Sequence, residues 1–158
     1  MALYATSFPL HEQRERESQL SIMSHPDYHF NLILDGEKFV GLMLCWETVD
    51  FIYVEHFCIF PELRNNNYGR RSLELLSRKG KPLILEIDPP IDDISIRRKD
   101  FYERAGFVPN PFKHIHPPYH TGNSGHELMI MSYPCRLSES DHDRFNRYLS
   151  ETVMYQNH

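Results

Sequence analysis

The succession of segments predicts an α/β fold built on a mixed sheet, and three observations carry that prediction. Residues 51–60 (FIYVEHFCIF) form a nearly continuous apolar run, which reads as a central strand covered on both faces. A helix-period segment at 68–79 and a short apolar run at 83–88 follow it, and a strand–helix–strand unit of this kind demands a parallel pair. Upstream, two more strand-like runs flank Asp35-Gly36, a tight-turn signal, so an antiparallel meander leads into the unit.

Taken in order, residues 10–24 (LHEQRERESQLSIMS) are charged and helix-prone, with Leu20 and Met23 on a partial apolar edge and Pro26 closing the stretch. Strands are expected at 29–34, 39–47 and 51–60, with Val49-Asp50 in the second turn. Pro61 ends the third strand. The helix at 68–79 places Leu73 and Leu76 on one face with Leu75 beside them, and Gly80 and Pro82 stop it. Leu83 to Asp88 (LILEID) is the fourth strand. Asp92 or Asp93 caps a second helix that runs to about Ala105, where Gly106 terminates it. Phe107-Val108 opens another strand, residues 109–125 read as a Pro- and His-rich loop, and 127–133 (ELMIMSY) is the last strand. Phe145, Leu149, Thr152 and Val153 recur at helical spacing, so a closing helix is expected over about 139–156.

A chain of 158 residues is long enough for one domain with a real core, and no repeat or linker divides it; the core is expected over about 28–133. Its 22 acidic and 17 basic side chains leave a formal net charge of −5, which argues against a nucleic-acid binder, whose phosphate contacts need a basic face. No apolar run approaches the ~18 residues of a membrane span, and the N-terminal stretch lacks the pattern of a secretory signal. The three cysteines, Cys45, Cys58 and Cys135, cannot all pair within the chain, so reduced thiols and a cytoplasmic location are expected.

Most of the functional information lies in residues 59–71 (IFPELRNNNYGRR), where a strand ends in a polar loop and a helix begins. The free N–H groups and positive pole of such a helix start bind anions, diphosphates above all. Gly69 permits close backbone approach, and Asn67 tolerates positive φ better than most non-glycine residues. Arg64, Arg70 and Arg71 add local positive charge to an otherwise acidic chain.

Here the sequence resembles the GCN5-related N-acetyltransferase (GNAT) superfamily, whose pattern Arg/Gln-x-x-Gly-x-Gly/Ala holds the pyrophosphate of acetyl-CoA. The chain reads Arg64-Asn65-Asn66-Asn67-Tyr68-Gly69, with Asn67 in place of the first glycine. A second family signature follows as Phe101-Tyr102-Glu103-Arg104-Ala105-Gly106-Phe107, and Ser95 stands where the family usually has Asn. The resemblance implies a mixed, mostly antiparallel sheet flanked by helices, with its parallel pair at the cofactor site. It implies acetyl-CoA as co-substrate, held by residues 64–70 (Arg64, Asn65, Asn66, Asn67, Tyr68, Gly69, Arg70) and by main-chain groups of Phe57, Cys58 and Ile59. It also places Tyr102 beside the acetyl-CoA sulfur. A phenol of pKa ~10 is protonated at neutral pH and can donate to a departing thiolate.

Glu55 sits in the middle of the apolar strand, where a carboxylate must be paired or raised in pKa. Strict alternation puts it on one face with Phe57 and Ile59, and His56 and Cys58 on the other. Two readings stand: the base that the family often keeps on this strand, or a structural ion pair with Arg97 or Arg98. With Glu86 and Asp88 it also suggests an acidic floor that attracts a cationic amine. His114, His116, His120 and His126 lack metal-site spacing, so no metal is expected. Trp46 and Tyr119 read as packing residues beside an acceptor pocket, and nothing local lowers the pKa of Cys58 to make it a nucleophile. The expected activity is direct acetyl transfer from acetyl-CoA to a primary amine, on a small molecule or a peptide, in a ternary complex. The alternative is a non-catalytic CoA-binding module on the same fold. A homodimer through the C-terminal helix is left open.

Overall fold

The computed structural model describes residues 2–8, 10–120 and 122–155. Strands β1 (Tyr28–Asp35), β2 (Lys38–Glu47) and β3 (Ile52–Ile59) form the expected antiparallel meander, with Gly36 at a φ of 62° in the first turn. Helix α3 (Tyr68–Ser77) crosses to β4 (Leu83–Ile87), which pairs parallel to β3. Helix α4 (Asp93–Arg104) follows, capped by Asp92, whose carboxylate accepts the Ser95 amide while the Ser95 hydroxyl accepts the Asp92 amide. This reciprocal cap satisfies two orphan donors at the helix start.

The region expected as a long loop contains more order than its prolines suggest. After the two-residue β5 (Val108–Pro109), residues His114–His116 form a further strand, β6, which pairs antiparallel with β7 (His126–Tyr133). The sheet order is β1-β2-β3-β4-β7-β5, with β6 also on β7. Two buried clusters cover its faces. One joins Trp46, Tyr53, Ile84 and Ile130 to residues of the N-terminal and C-terminal segments, while the other joins Val54, Leu85 and Met131 to Leu73, Leu76 and Tyr102 of α3 and α4. Sheet burial on both sides accounts for the unbroken apolar strands.

Both ends of the chain depart from expectation. The single N-terminal helix over 10–24 is replaced by α1 (Ala2–Ser7), a 3-10 turn (Leu10–Glu12) and α2 (Arg16–Ile22). Leu20 and Met23 are exposed; Ser18, Gln19 and Ile22 face inward, because Gln19 donates to the Tyr28 hydroxyl at 2.8 Å beneath the helix. At the other end α5 (Glu139–Tyr148) passes into a π turn over Leu149–Val153, closed by the Met154 amide on the Leu149 carbonyl. The widened turn buries Leu149, Val153 and Met154 together. The expected helix end at 156 lies outside the described residues.

Candidate active site

Strands β3 and β4 pair only at Ile52 with Leu83 and Tyr53 with Ile84, and beyond these positions they part. A cavity of about 1230 Å³ occupies the divergence, lined by Val54 to Ile59 from β3 and Leu85 to Asp88 around the end of β4. Phe57, Cys58 and Ile59 therefore present one strand edge to β2 and the other to open space. An extended ligand can use such an edge as a missing strand would.

One end of the cavity is the loop between β3 and α3. Asn65 and Asn67 adopt left-handed conformations, with φ of 70° and 64°, so the expected tolerance of Asn67 is used and Asn65 shares it. The first helical bond of α3 runs from the Arg71 amide to the Asn67 carbonyl, leaving the amides of Tyr68, Gly69 and Arg70 outside the ladder. Arg64, Asn65, Asn67, Tyr68, Gly69 and Arg70 line the cavity. Asn66 does not; its side-chain amide donates instead to the Leu63 carbonyl at 3.0 Å. The Tyr68 hydroxyl ties the loop to Asp35 at 2.7 Å. Gly69 also has a packing reason to be small. A Cβ there would meet the Phe101 ring at 3.1 Å, so the residue lets α3 pack against α4.

Tyr102 reaches the cavity from α4, across from Cys58. It is 9% exposed, and burial pushes its phenol up to about 12, so it carries its proton throughout the neutral range. Phe101 lines the cavity beside it.

Glu55 lies opposite a break in the β2–β3 register: Leu44 faces His56, Cys45 faces Val54, and Glu55 is the extra residue. A bulge of this kind turns two successive side chains toward the same face. Glu55 and His56 accordingly both face the N-terminal segment, while Phe57 packs on the α3–α4 side, and the strict alternation expected from sequence fails here. The carboxylate is enclosed by three donors: Arg14 Nη2 at 2.7 Å, Trp46 Nε1 at 2.8 Å and the Tyr119 hydroxyl at 2.7 Å. Both ions are sealed, with side-chain exposures of 0% for Arg14 and 1% for Glu55. Burial works against its charge, but Arg14, His56 and the donated hydrogen bonds prevail and hold it at about 2. Its partner is thus Arg14, not Arg97 or Arg98. A lone carboxylate in an apolar strand signals that a cation must come; nothing in the charged run around Arg14 marks which one.

Glu86 is likewise enclosed by donors, and its carboxyl is held below the ordinary range. It accepts hydrogen bonds from Tyr53 and His114, and His116 Nε2 stands 3.8 Å away. The far end of the cavity is closed by Glu12, His56, His116, Tyr119, His126 and Asp88. His116 and His126 belong to the histidine group that the sequence offers without metal-site spacing; β6 and the hairpin it makes with β7 bring them into the site.

The comparisons agree with this geometry. Residues 1–107 match the model of the acetyltransferase (GNAT) family. A chain assigned to the GNAT acetyltransferases of Bacteroides thetaiotaomicron superposes with a TM-score of 0.90 at 32% identity, covering 97% of this chain and 88% of that one. Two more distant structures share the fold. The ribosomal-protein-S18-alanine N-acetyltransferase of Escherichia coli has a TM-score of 0.55 at 19% identity, covering 85% of this chain and 83% of that one. An acetyl-CoA-bound GNAT acetyltransferase from Elizabethkingia anophelis has a TM-score of 0.52 at 12% identity, with coverages of 75% and 82%. The chain finds no significant match among curated protein sequences. No helix among the described residues is long and apolar enough to cross a membrane. With its family match over two thirds of its length, a parted parallel strand pair and a helix start opening on the cleft, the chain belongs to the GNAT family of acetyltransferases.

Proposed function

We propose that this protein transfers an acetyl group from acetyl-CoA to a primary amine, the amine attacking directly while both substrates are bound. The observation that carries this reading is the cavity between β3 and β4, which runs from a helix start with amides outside its ladder, past a free strand edge and a protonated phenol, to an acidic pocket. The E. anophelis relative holds acetyl-CoA and the E. coli relative acts on an alanine of a ribosomal protein, so both halves of the reaction have precedent on this fold.

Residues here fit acetyl-CoA. The amides of Tyr68, Gly69 and Arg70, with Arg64 nearby, suit its pyrophosphate. The free edge of Phe57, Cys58 and Ile59 suits the pantetheine amides. Bound acetyl-CoA supplies an activated thioester; the protein's own groups do the rest. Tyr102 donates its proton to the sulfur that leaves. Glu55 serves as an anchor rather than as the base, because three donors enclose its carboxylate and its conjugate acid is too strong to hold an amine's proton. Cys58 stays a thiol, since burial pushes its pKa up, and this disfavours an acyl-cysteine route.

Calorimetry with acetyl-CoA, followed by CoA-thiol release against an amine panel, tests the reading. Binding with amine-dependent thiol release is expected. Absence of binding removes the assignment, and binding without release with any amine leaves a CoA-binding module.

A further inference from the structure

The far end of the cavity holds an arrangement that cofactor binding does not use. His116 lies on β6 with 2% exposure and lines the cavity. Its Nδ1 sits 2.6 Å from the Pro117 carbonyl, which only accepts, so Nδ1 carries hydrogen and donates. In the neutral ring the other nitrogen, Nε2, is then a bare lone pair. That atom is buried and has no hydrogen-bond partner. A buried polar atom left unpaired is unfavourable unless something visits it. Glu86 Oε1 lies 3.8 Å away.

Two carboxylates flank the same end of the cavity. Glu12 and Asp88 both line it, with side-chain exposures of 24% and 45%. Burial first, and then the charge of Asp88, push the Glu12 carboxyl up, the mark of two acids sharing a space without a full countercharge. Asp88 has Arg98 at 3.4 Å, and the nearest cation-forming partner of Glu12 among the described residues is His11, at 3.9 Å.

We infer that the acceptor enters as a cationic amine between Glu12 and Asp88 and that His116 Nε2, directly or through one water, takes its proton. This rests on the acetyltransferase reading above. The ammonium N–H bond breaks and an Nε2–H bond forms, giving a neutral amine and an imidazolium held between Glu86 and the Pro117 carbonyl. The amine's lone pair then forms the C–N bond as the thioester C–S bond breaks, its electron pair leaving on sulfur. Tyr102 protonates that sulfur, and the second amine proton restores Tyr102. The imidazolium proton passes to solvent, so the balance is ammonium plus thioester giving amide, thiol and one proton.

Charged and titratable groups surround His116 on every side: Glu86 on β4, His56 on β3, His126 stacked 5.6 Å away on β7, Tyr119 at 4.9 Å in the following loop, Glu12 on the N-terminal turn and His114 on its own strand. The test therefore compares variants and does not read one inflection. His116→Asn keeps an N–H for the Pro117 carbonyl and deletes Nε2. With spermidine as acceptor, kcat should fall at least ~100-fold near neutrality, and the deficit should narrow as alkali frees the amine. Acetyl-CoA affinity should stay level. Glu12→Gln combined with Asp88→Asn should raise the spermidine KM about 10-fold and affect the singly charged benzylamine less. In the parent protein, nitrogen NMR should show His116 protonated at Nδ1 and an Nε2 signal that moves when spermidine is added. A His116→Asn enzyme with parental kcat and pH profile overturns the inference. So does an unchanged spermidine KM in the double variant, or an Nε2 signal indifferent to spermidine should His116→Asn fail to fold. Loss of all turnover or of acetyl-CoA binding in the parent would instead overturn the underlying reading.

Discussion

Tyr102 and Glu55 show how burial gives two ionisable side chains opposite characters. For Tyr102 burial acts without a countercharge strong enough to offset it, so the phenol is pushed up to about 12 and remains a donor. For Glu55 burial is overcome by Arg14 and further donors, so the carboxylate stays ionised and held by three hydrogen bonds. Their roles follow from who surrounds them, not from their residue types. Tyr102→Phe removes one hydroxyl and preserves the ring that packs between Phe101 and Phe107. Its kcat for thiol release should drop by ~10²–10⁴-fold, the usual contribution of a general acid, with acetyl-CoA affinity and melting temperature nearly unchanged. Parental turnover in this variant would reduce Tyr102 to packing.

At the scale of elements, the start of α3 depends on backbone conformations that most side chains resist. Asn67 sits at a φ of 64° and makes no side-chain cap, so its value lies in tolerating that conformation. Asn67→Gly should therefore keep acetyl-CoA affinity and thermal stability close to parental. Asn67→Val places a β-branched residue in the left-handed region, a true outlier. It should rebuild the loop and weaken acetyl-CoA binding at least ~10-fold, as read by calorimetry. Equal affinities for the two variants would mean that the loop's shape does not govern binding. Gly69 answers also to a neighbouring element, because the Phe101 ring occupies the space beyond its Cα.

Across the whole molecule, Arg14 acts as a bolt. Its Nη2 meets Glu55 on the central strand, its Nη1 donates to the Val153 carbonyl at 3.0 Å in the π turn, and its own amide donates to the Tyr4 hydroxyl at 2.7 Å. One side chain thus joins both ends of the chain to the sheet. Arg14→Met should destabilise the fold by about 3–5 kcal/mol, since it strands a buried carboxylate. The pair also predicts an acid dependence. Glu55 is held at about 2 in the folded protein against an ordinary 4.5, so its contribution is full above 4.5 and is lost as pH falls toward 2. Melting temperatures measured between about pH 2 and 7 should fall through that window in the parent. The part of the slope due to Glu55 should be missing in Arg14→Met, and an equally steep fall in both proteins would place the acid sensitivity elsewhere.

The sequence by itself determined the meander, the parallel crossover and both main helices, because each depends on local signals: apolar runs, Asp35-Gly36, Gly80 with Pro82, and the Asp92 cap. It also marked the loop that lines one end of the cavity, where Asn67, Gly69 and three arginines crowd one helix start. What only the tertiary structure decided involves partners far apart in the chain. The bulge at Glu55 is a mismatch between two strands, invisible in either alone, and it reverses which face the carboxylate takes. The choice of Arg14 over Arg97 or Arg98, and the conversion of a His-rich loop into a strand lining the cavity, are settled by packing across separations of 41 and 28 residues. Alternation and helical period report which way a side chain points relative to its neighbours in sequence. They carry no information on which distant charge will be sealed beside it, and desolvation makes that encounter decisive for the chemistry.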